Sequence, residues 1–203
     1  VVNGSNLFAG TAAGGIYLST NNGSSWVTAN YGLTNLNIKS LESNGTKLLA
    51  GTFGNGAFLS SDNGTSWNEI NTNLTALTTY AIALKDSHQF AGTDGGGIFR
   101  STNNGENWAV TNTGLTNKKI FSFDVNGTDI FAGTSGGGVF FSSNDGTSWT
   151  TVNSGLTNLN VNSFVRNGVN LFAGTGNGGI FLTTNNGTSW NSVNSGIPLP
   201  SSN

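Results

Sequence analysis

The chain has 203 residues, only 8% of them charged, and a formal net charge of −2, so no basic stripe exists to track a phosphate backbone and nucleic acid is excluded as a partner. Cysteine is absent, which excludes disulfides and thiolate metal sites, and no run of about 18 apolar residues is present to span a membrane. Low charge and high polarity would suit disorder, but 13 Phe and 5 Trp at regular positions argue for a packed core. The Asn, Gly, Thr and Ser richness without Cys fits a bacterial extracellular surface better than a cytosol. No signal peptide is recognisable and the first residue is not Met, so a processed form, or a piece of something longer, is expected.

Along the chain, a short Val1-Val2 segment precedes an Asn3-Gly4 turn, and the first of five Ala-Gly-Thr triplets begins at Ala9. The others begin at Ala50, Ala91, Ala132 and Ala173, a constant spacing of 41 residues. Residues 37 to 71 show one full period. Asn37 to Glu42 alternates apolar and polar side chains, a strand signal, and Asn44-Gly45 supplies a tight turn. Lys47 to Thr52 is nearly all apolar, as in a strand buried on both faces. Gly54-Asn55-Gly56 turns the chain, Ala57 to Ser60 forms a third strand, and Trp67 to Asn71 a fourth. A linker containing Leu74 leads on.

Four short strands in about 41 residues, repeated without insertion, match a propeller blade. The expected fold class is therefore all-β: a five-bladed β-propeller, each blade a four-stranded antiparallel sheet, with residues 1–203 as one domain. Phe8, Leu49, Phe90, Phe131 and Phe172 are equivalent by register and read as core, as do Ile16, Ala57, Ile98, Val139 and Ile180. Gly10, Gly51, Gly92, Gly133 and Gly174 fall inside strands, which predicts close approach of another backbone or, alternatively, a bulge. Five units of 41 residues slightly exceed the chain, and by register residues 197–203 fall where the first blade lacks its first strand. They are expected either to close the ring there or, because Pro198 and Pro200 cannot donate to a ladder, to begin a linker.

Between the third and fourth strands every repeat carries a Ser/Thr-x-Asn/Asp-x-Gly-x-x-Trp box. Its key residues are Asn21, Gly23 and Trp26; Asp62, Gly64 and Trp67; Asn103, Gly105 and Trp108; Asn144, Gly146 and Trp149; and Asn185, Gly187 and Trp190. The Asn/Asp side chain is expected to accept N–H groups of its own turn, the Gly to take positive φ, and the Trp to fold back over the hairpin. The boxes resemble the Asp-box, or BNR, repeat of sialidase-like propellers. Similar repeats occur in sortilin-type receptors, photosystem assembly factors, xyloglucan-degrading enzymes and large secreted bacterial proteins. The resemblance implies a structural hairpin at the blade periphery, away from any active site. Asp fills the family's Asp position only at Asp62, and Asn can make the same turn. A calcium site at Asp62 or Asp145 is the alternative, with too few carboxylates nearby to favour it.

The resemblance also implies, for a sialidase, three clamping arginines, a Tyr nucleophile with a Glu partner and an Asp acid. This chain has only Arg100 and Arg166, which excludes that reaction. A glycosidase needs two facing carboxylates. Asp62 and Asp145 lie in boxes; Glu42, Glu69, Glu106, Asp86 and Asp129 read as solvent-facing strand ends or turns, leaving Asp94 and Asp124. His88, the sole histidine, reads as a strand start. No catalytic residue, metal ligand or cofactor is assigned.

Linkers and turns between the second and third strands make the face on which a propeller binds. Leu33, Leu74, Leu115, Leu156 and Ile197 are expected to plug blade junctions. Asn35, Asn117 and Asn158 form a candidate polar ring, and Asp94, Tyr31 and Phe53 are non-repeating residues of the same face. The first expectation is a non-catalytic extracellular interaction or structural module with a protein or glycan partner. A lectin-like propeller is the alternative, and self-association into a surface fibre or layer a third. The Asn-x-Ser/Thr sequons, such as Asn63-Gly64-Thr65, read first as turns and second as glycosylation acceptors.

Overall fold

The computed structural model describes residues 1–45, 47–85 and 87–198. They contain strands and turns and no helix, so no helix is long and apolar enough to cross a membrane. The chain makes two compact units, Val1–Val110 and Thr111–Asn203.

The first unit holds three sheets. One joins β1 (Val2–Asn3), β2 (Asn6–Gly10), β3 (Ile16–Ser19) and β4 (Val27–Thr28) in sequence order. The next joins β5 (Ile38–Ser43), β6 (Leu48–Thr52), β7 (Ala57–Ser60) and β8 (Asn68–Glu69). The third joins β9 (Thr79–Lys85), β10 (His88–Thr93), β11 (Ile98–Ser101) and β12 (Ala109–Val110). The second unit holds two sheets: β13 (Ile120–Asn126), β14 (Asp129–Thr134), β15 (Val139–Ser142) and β16 (Thr150–Thr151), then β17 (Val161–Asn167), β18 (Asn170–Thr175), β19 (Ile180–Thr183) and β20 (Asn191–Ser192). Every pairing is antiparallel and between neighbours in sequence, and the fold class is all-β, with the five sheets as the five blades of a β-propeller.

Stacking supplies the burial that one small sheet lacks. In the first unit Phe8 and Ile16 pack with Leu48, Ala50, Phe58 and Trp67 of the next sheet, and Leu49 and Ala57 pack with Ile82, Ala91, Phe99 and Trp108 of the third. In the second unit Phe131 and Val139 pack with Leu171, Phe181 and Trp190. Both readings of the strand glycines are met: the register shifts beside Gly51, Gly92, Gly133 and Gly174, and Gly51 and Gly133 also mark close approach of another backbone, while Gly10 meets a side chain. A Cβ on Gly10 would lie 2.5 Å from Ile38 Cγ2, and one on Gly51 would lie 2.9 Å from the Thr79 carbonyl oxygen. Gly133 stands in the same relation to Val161.

Three expectations change. The tryptophans do not all simply cover their own hairpins: Trp26 Cζ2 lies 3.8 Å from where a Cβ would stand on Gly23 of its own box, whereas the other four also reach back along the chain. Each indole N–H of Trp67, Trp108, Trp149 and Trp190 donates to a carbonyl 38 residues earlier, in the segment that precedes its repeat. Ile197 does not plug a junction as Leu74 does: it is 40% exposed, against 3%. Glu42 does not face solvent; it is half-buried in β5. The closing strand considered for residues 197–203 lies, from 199 onward, outside the described residues, and Ile197 and Pro198 are not in a strand.

Candidate functional site

The repeated polar residues are almost all engaged in holding turns. In the second box, Asp62 Oδ1 accepts the Ser66 N–H at 2.9 Å and the Ser60 hydroxyl at 2.8 Å, and its Oδ2 accepts the Ser66 hydroxyl at 2.6 Å. Those Ser66 bonds first, then the Ser60 one, hold the exposed Asp62 carboxyl below the usual carboxylate range. Asn21, Asn103, Asn144 and Asn185 accept the same backbone N–H at 2.9 to 3.0 Å, so the amide replaces the carboxylate without change of geometry. Gly23, Gly64, Gly105, Gly146 and Gly187 all have positive φ, as the box predicts. So do the residues before them, Asn22, Asn63, Asn104, Asp145 and Asn186, which explains the Asn/Asp bias there. Among the described residues no group of three His, Asp or Glu side chains stands ready for a metal ion.

Sequence reasoning missed a second device. Asn30, Asn71, Asn153 and Asn194 reach back across the sheet, and their Oδ1 accepts the N–H of Ile16, Ala57, Val139 and Ile180 at 2.7 to 2.8 Å. Their amide nitrogens donate to the carbonyls of Gly14, Asn55, Gly137 and Gly178. The glycine between those two anchors has no room for a Cβ: at Gly138 it would lie 2.2 Å from Asn153 Oδ1. The signal was an Asn recurring every 41 residues beside each linker.

The candidate binding residues divide by what they touch. Asn35 donates to the Phe53 carbonyl at 2.9 Å and accepts the Asn37 N–H at 2.8 Å. Asn117 does the same with the Ser135 carbonyl and the Lys119 N–H, and Asn158 accepts the Asn160 N–H. Each clips a linker and keeps only part of its capacity for a ligand. Tyr31 is 78% exposed, but its carbonyl is anchored to the Trp67 N–H, not to the segment that holds Phe53. Asp94 is exposed at the β10–β11 turn, with the Tyr80 hydroxyl 3.4 Å from its Oδ2. Asp124 is taken up by the Arg166 guanidinium, whose Nε lies 2.9 Å from its Oδ2; both side chains are largely buried, and Arg166 also covers the Phe131 ring.

Phe53 stands apart from these. It occupies the tip of the β6–β7 turn, where the other repeats have Ala12, Asp94, Ser135 and Gly176. Its backbone is fixed by Asn35 and by the Asn37 carbonyl, while the residue is 48% exposed and the Lys39 ammonium lies 5.3 Å from the ring centre. Asn55, beside it, donates to the Thr34 hydroxyl. A rigidly held aromatic face with an ammonium and amides around it can stack on a flat apolar surface and hydrogen-bond its polar edge.

No family model matches the sequence, and no curated protein does. Solved structures do match the fold. The chain is similar to an ancestral GH74 enzyme (21% identity, TM-score 0.75), covering 97% of this chain and 30% of that one. It is similar to the GH74 xyloglucanase from Xanthomonas campestris (17% identity, TM-score 0.76; 98% and 37% covered). It is also similar to the extracellular domain of a hybrid two component system from B. thetaiotaomicron (18% identity, TM-score 0.77; 95% and 26% covered). The chain thus spans well under half the length of each of these proteins, and at these identities the likeness is one of fold.

Proposed function

We propose that the chain is a non-catalytic interaction module of an extracellular bacterial protein, built from Asp-box repeats, with its binding surface at the turn tip around Phe53, Lys39 and Asn35. The observation that carries this reading is the division of labour among the side chains. The repeated amides and carboxylates close turns and latches, Asp124 is neutralised by Arg166, and Phe53, an exposed ring beside the Lys39 ammonium, stands at a turn position where no other repeat has an aromatic residue. The extracellular context of the sensor-domain neighbour supports the location.

A carbohydrate ligand is the second reading. Phe53 offers the exposed ring that stacks on a sugar face, the Asn side chains around it suit hydroxyl groups, and two of the structural neighbours are GH74 enzymes. Incubation with a panel of plant and bacterial polysaccharides tests the non-catalytic assignment. Co-sedimentation with a polysaccharide, without release of reducing ends, is expected. Release of product that disappears in Asp94→Asn or Asp124→Asn would overturn it.

A further inference from the structure

In β5, β9, β13 and β17 the ladder to the following strand slips by one residue near the start of the strand. The extra residue is Lys39, Tyr80, Phe121 and Asn162 in turn, and the residue before it (Ile38, Thr79, Ile120, Val161) is buried each time. A bulge of this kind re-aims one side chain out of the ladder's alternation. The turn opposite is held with equal regularity. The backbone N–H of Phe53, Asp94, Ser135 or Gly176 donates to the carbonyl of Asn37, Thr78, Lys119 or Asn160 at 2.9 to 3.0 Å, and that carbonyl stands two residues before the bulge. The backbone frame is thus the same in these repeats, while the two side chains it presents differ in each. Boxes and latches show the reverse, because there the fold itself needs the recurring residue. A fixed frame with side chains that change from repeat to repeat is how a rigid scaffold presents a recognition surface.

The presented side chains meet one another. Lys39 Nζ lies 5.3 Å from the centre of the Phe53 ring, and the Tyr80 hydroxyl lies 3.4 Å from Asp94 Oδ2. In the fourth repeat the bulge supplies the ring, and Lys119 Nζ lies 5.8 Å from the centre of Phe121. An ammonium at an aromatic ring is therefore built twice, from different positions, in a chain with only seven Lys and Arg residues. Among the described residues no carboxylate pairs with Lys39, which keeps its N–H donors for a ligand. The second and third repeats also share a border. The Thr79 carbonyl oxygen lies 2.9 Å from where a Cβ would stand on Gly51, and the Leu77 carbonyl accepts the Gly56 N–H at 2.6 Å. The segment that leads to Tyr80 thus runs along the turn that carries Phe53.

We infer that this frame reads a polysaccharide that carries hexuronic acid among neutral sugars. The C–H face of the acidic sugar stacks on Phe53 while its carboxylate accepts from Lys39. Tyr80 and Asp94, across the border, take hydroxyl groups of the next sugar, where a second carboxylate would be repelled. A uronic acid offers an apolar face and an anion on one ring, as the acidic side chains of a peptide do not, and this favours a glycan over an acidic peptide. The inference rests on the carbohydrate reading of the Phe53 surface and adds the charge of the ligand and a contact in the third repeat.

Calorimetric titration tests it, with soluble polysaccharides in which glucuronate, galacturonate or mannuronate is mixed with neutral sugars, each beside its carboxyl-reduced form, and with polyglutamate as the acidic peptide. Saturable binding to at least one acidic polysaccharide is expected, weakened about fivefold or more by carboxyl reduction or by Lys39→Met, and weakened by added salt. Lys39→Arg keeps the charge and should retain most of the affinity, while Tyr80→Phe should lose about threefold. Lys39 is exposed, and an unchanged urea midpoint confirms that its variants keep the fold. Equal affinity for an acidic polymer and its reduced form, lost in Phe53→Ala, would leave the Phe53 surface standing and overturn this inference. Binding weakened by Lys39→Met but not by Phe53→Ala would sink the Phe53 reading and this one with it. Polyglutamate bound as tightly as the glycans, or no acidic polysaccharide bound at all, also overturns the inference, and Tyr80→Phe at wild-type affinity strikes out its third-repeat contact.

Discussion

Asn153→Ala removes one of the latches that tie a linker to the sheet it follows. The side chain accepts the Val139 N–H at 2.7 Å and donates to the Gly137 carbonyl at 3.0 Å, and Val139 is fully buried. Two hydrogen bonds at about 1 kcal/mol each are lost, and a buried N–H is left without its acceptor, so a total loss of about 2–4 kcal/mol is expected. At a urea m-value of about 2 kcal/mol/M this lowers the midpoint by about 1–2 M with m unchanged. Asn153→Asp keeps the acceptor but loses the donor, and should fall between wild type and Ala. The assay is urea unfolding followed by tryptophan emission. A midpoint for the Ala variant within about 0.25 M of wild type, equivalent to about 0.5 kcal/mol, would refute the latch.

Other perturbations separate the remaining contributions. Gly51→Ala places a Cβ 2.9 Å from the Thr79 carbonyl oxygen and is expected to cost about 1–3 kcal/mol, whereas Gly174→Ala, which meets only Ser163 Oγ, should cost less; paired thermal melts check this. Trp67→Phe loses the 2.9 Å indole bond to the Ala29 carbonyl and leaves that buried acceptor unpaired, for about 1–3 kcal/mol, while Trp26→Phe should change unfolding by less than about 0.5 kcal/mol. Burial holds the Glu42 carboxyl above the usual glutamate range, outweighing the Ser43 N–H and the Val1 ammonium. The folded state therefore keeps this proton to higher pH than the unfolded chain does. The Glu42 contribution is most favourable below the ordinary glutamate pKa and is lost as pH rises through the raised folded value. Glu42→Gln should flatten that part of the stability–pH curve, and an unchanged curve would exclude Glu42 as its source.

Much of the fold was legible because the chain repeats itself. The alternation over Asn37 to Glu42, the apolar run to Thr52 and the Asn-Gly turns mark strands by local rules, and β5 to β7 lie where those rules place them. The box was legible for the same reason: Asp62 and its Asn equivalents act on N–H groups four residues away. What escaped was contact at long sequence separation. A period of 41 says that Trp67 has four equivalents, but not that its indole reaches the Ala29 carbonyl 38 residues back. Nor could it distinguish Trp26, which shares the local sequence and differs only in what lies against it. The ring proposed for Asn35, Asn117 and Asn158 was read from exposed linker positions, and the structure adds that all three bond within their linkers, with Asn35 and Asn117 also reaching a neighbouring turn. Phe53 was visible as a non-repeating residue, but its pairing with Lys39 depends on the turn tip approaching β5.

The central claim is that recognition rests on the one exposed ring beside Lys39, while the repeated polar residues serve the fold. Calorimetric titration of wild type and Phe53→Ala with the polysaccharides retained by co-sedimentation tests it most directly. Saturable binding by wild type, weakened at least about tenfold in Phe53→Ala with its unfolding midpoint unchanged, is the predicted result. Equal affinity in the two proteins would contradict the claim.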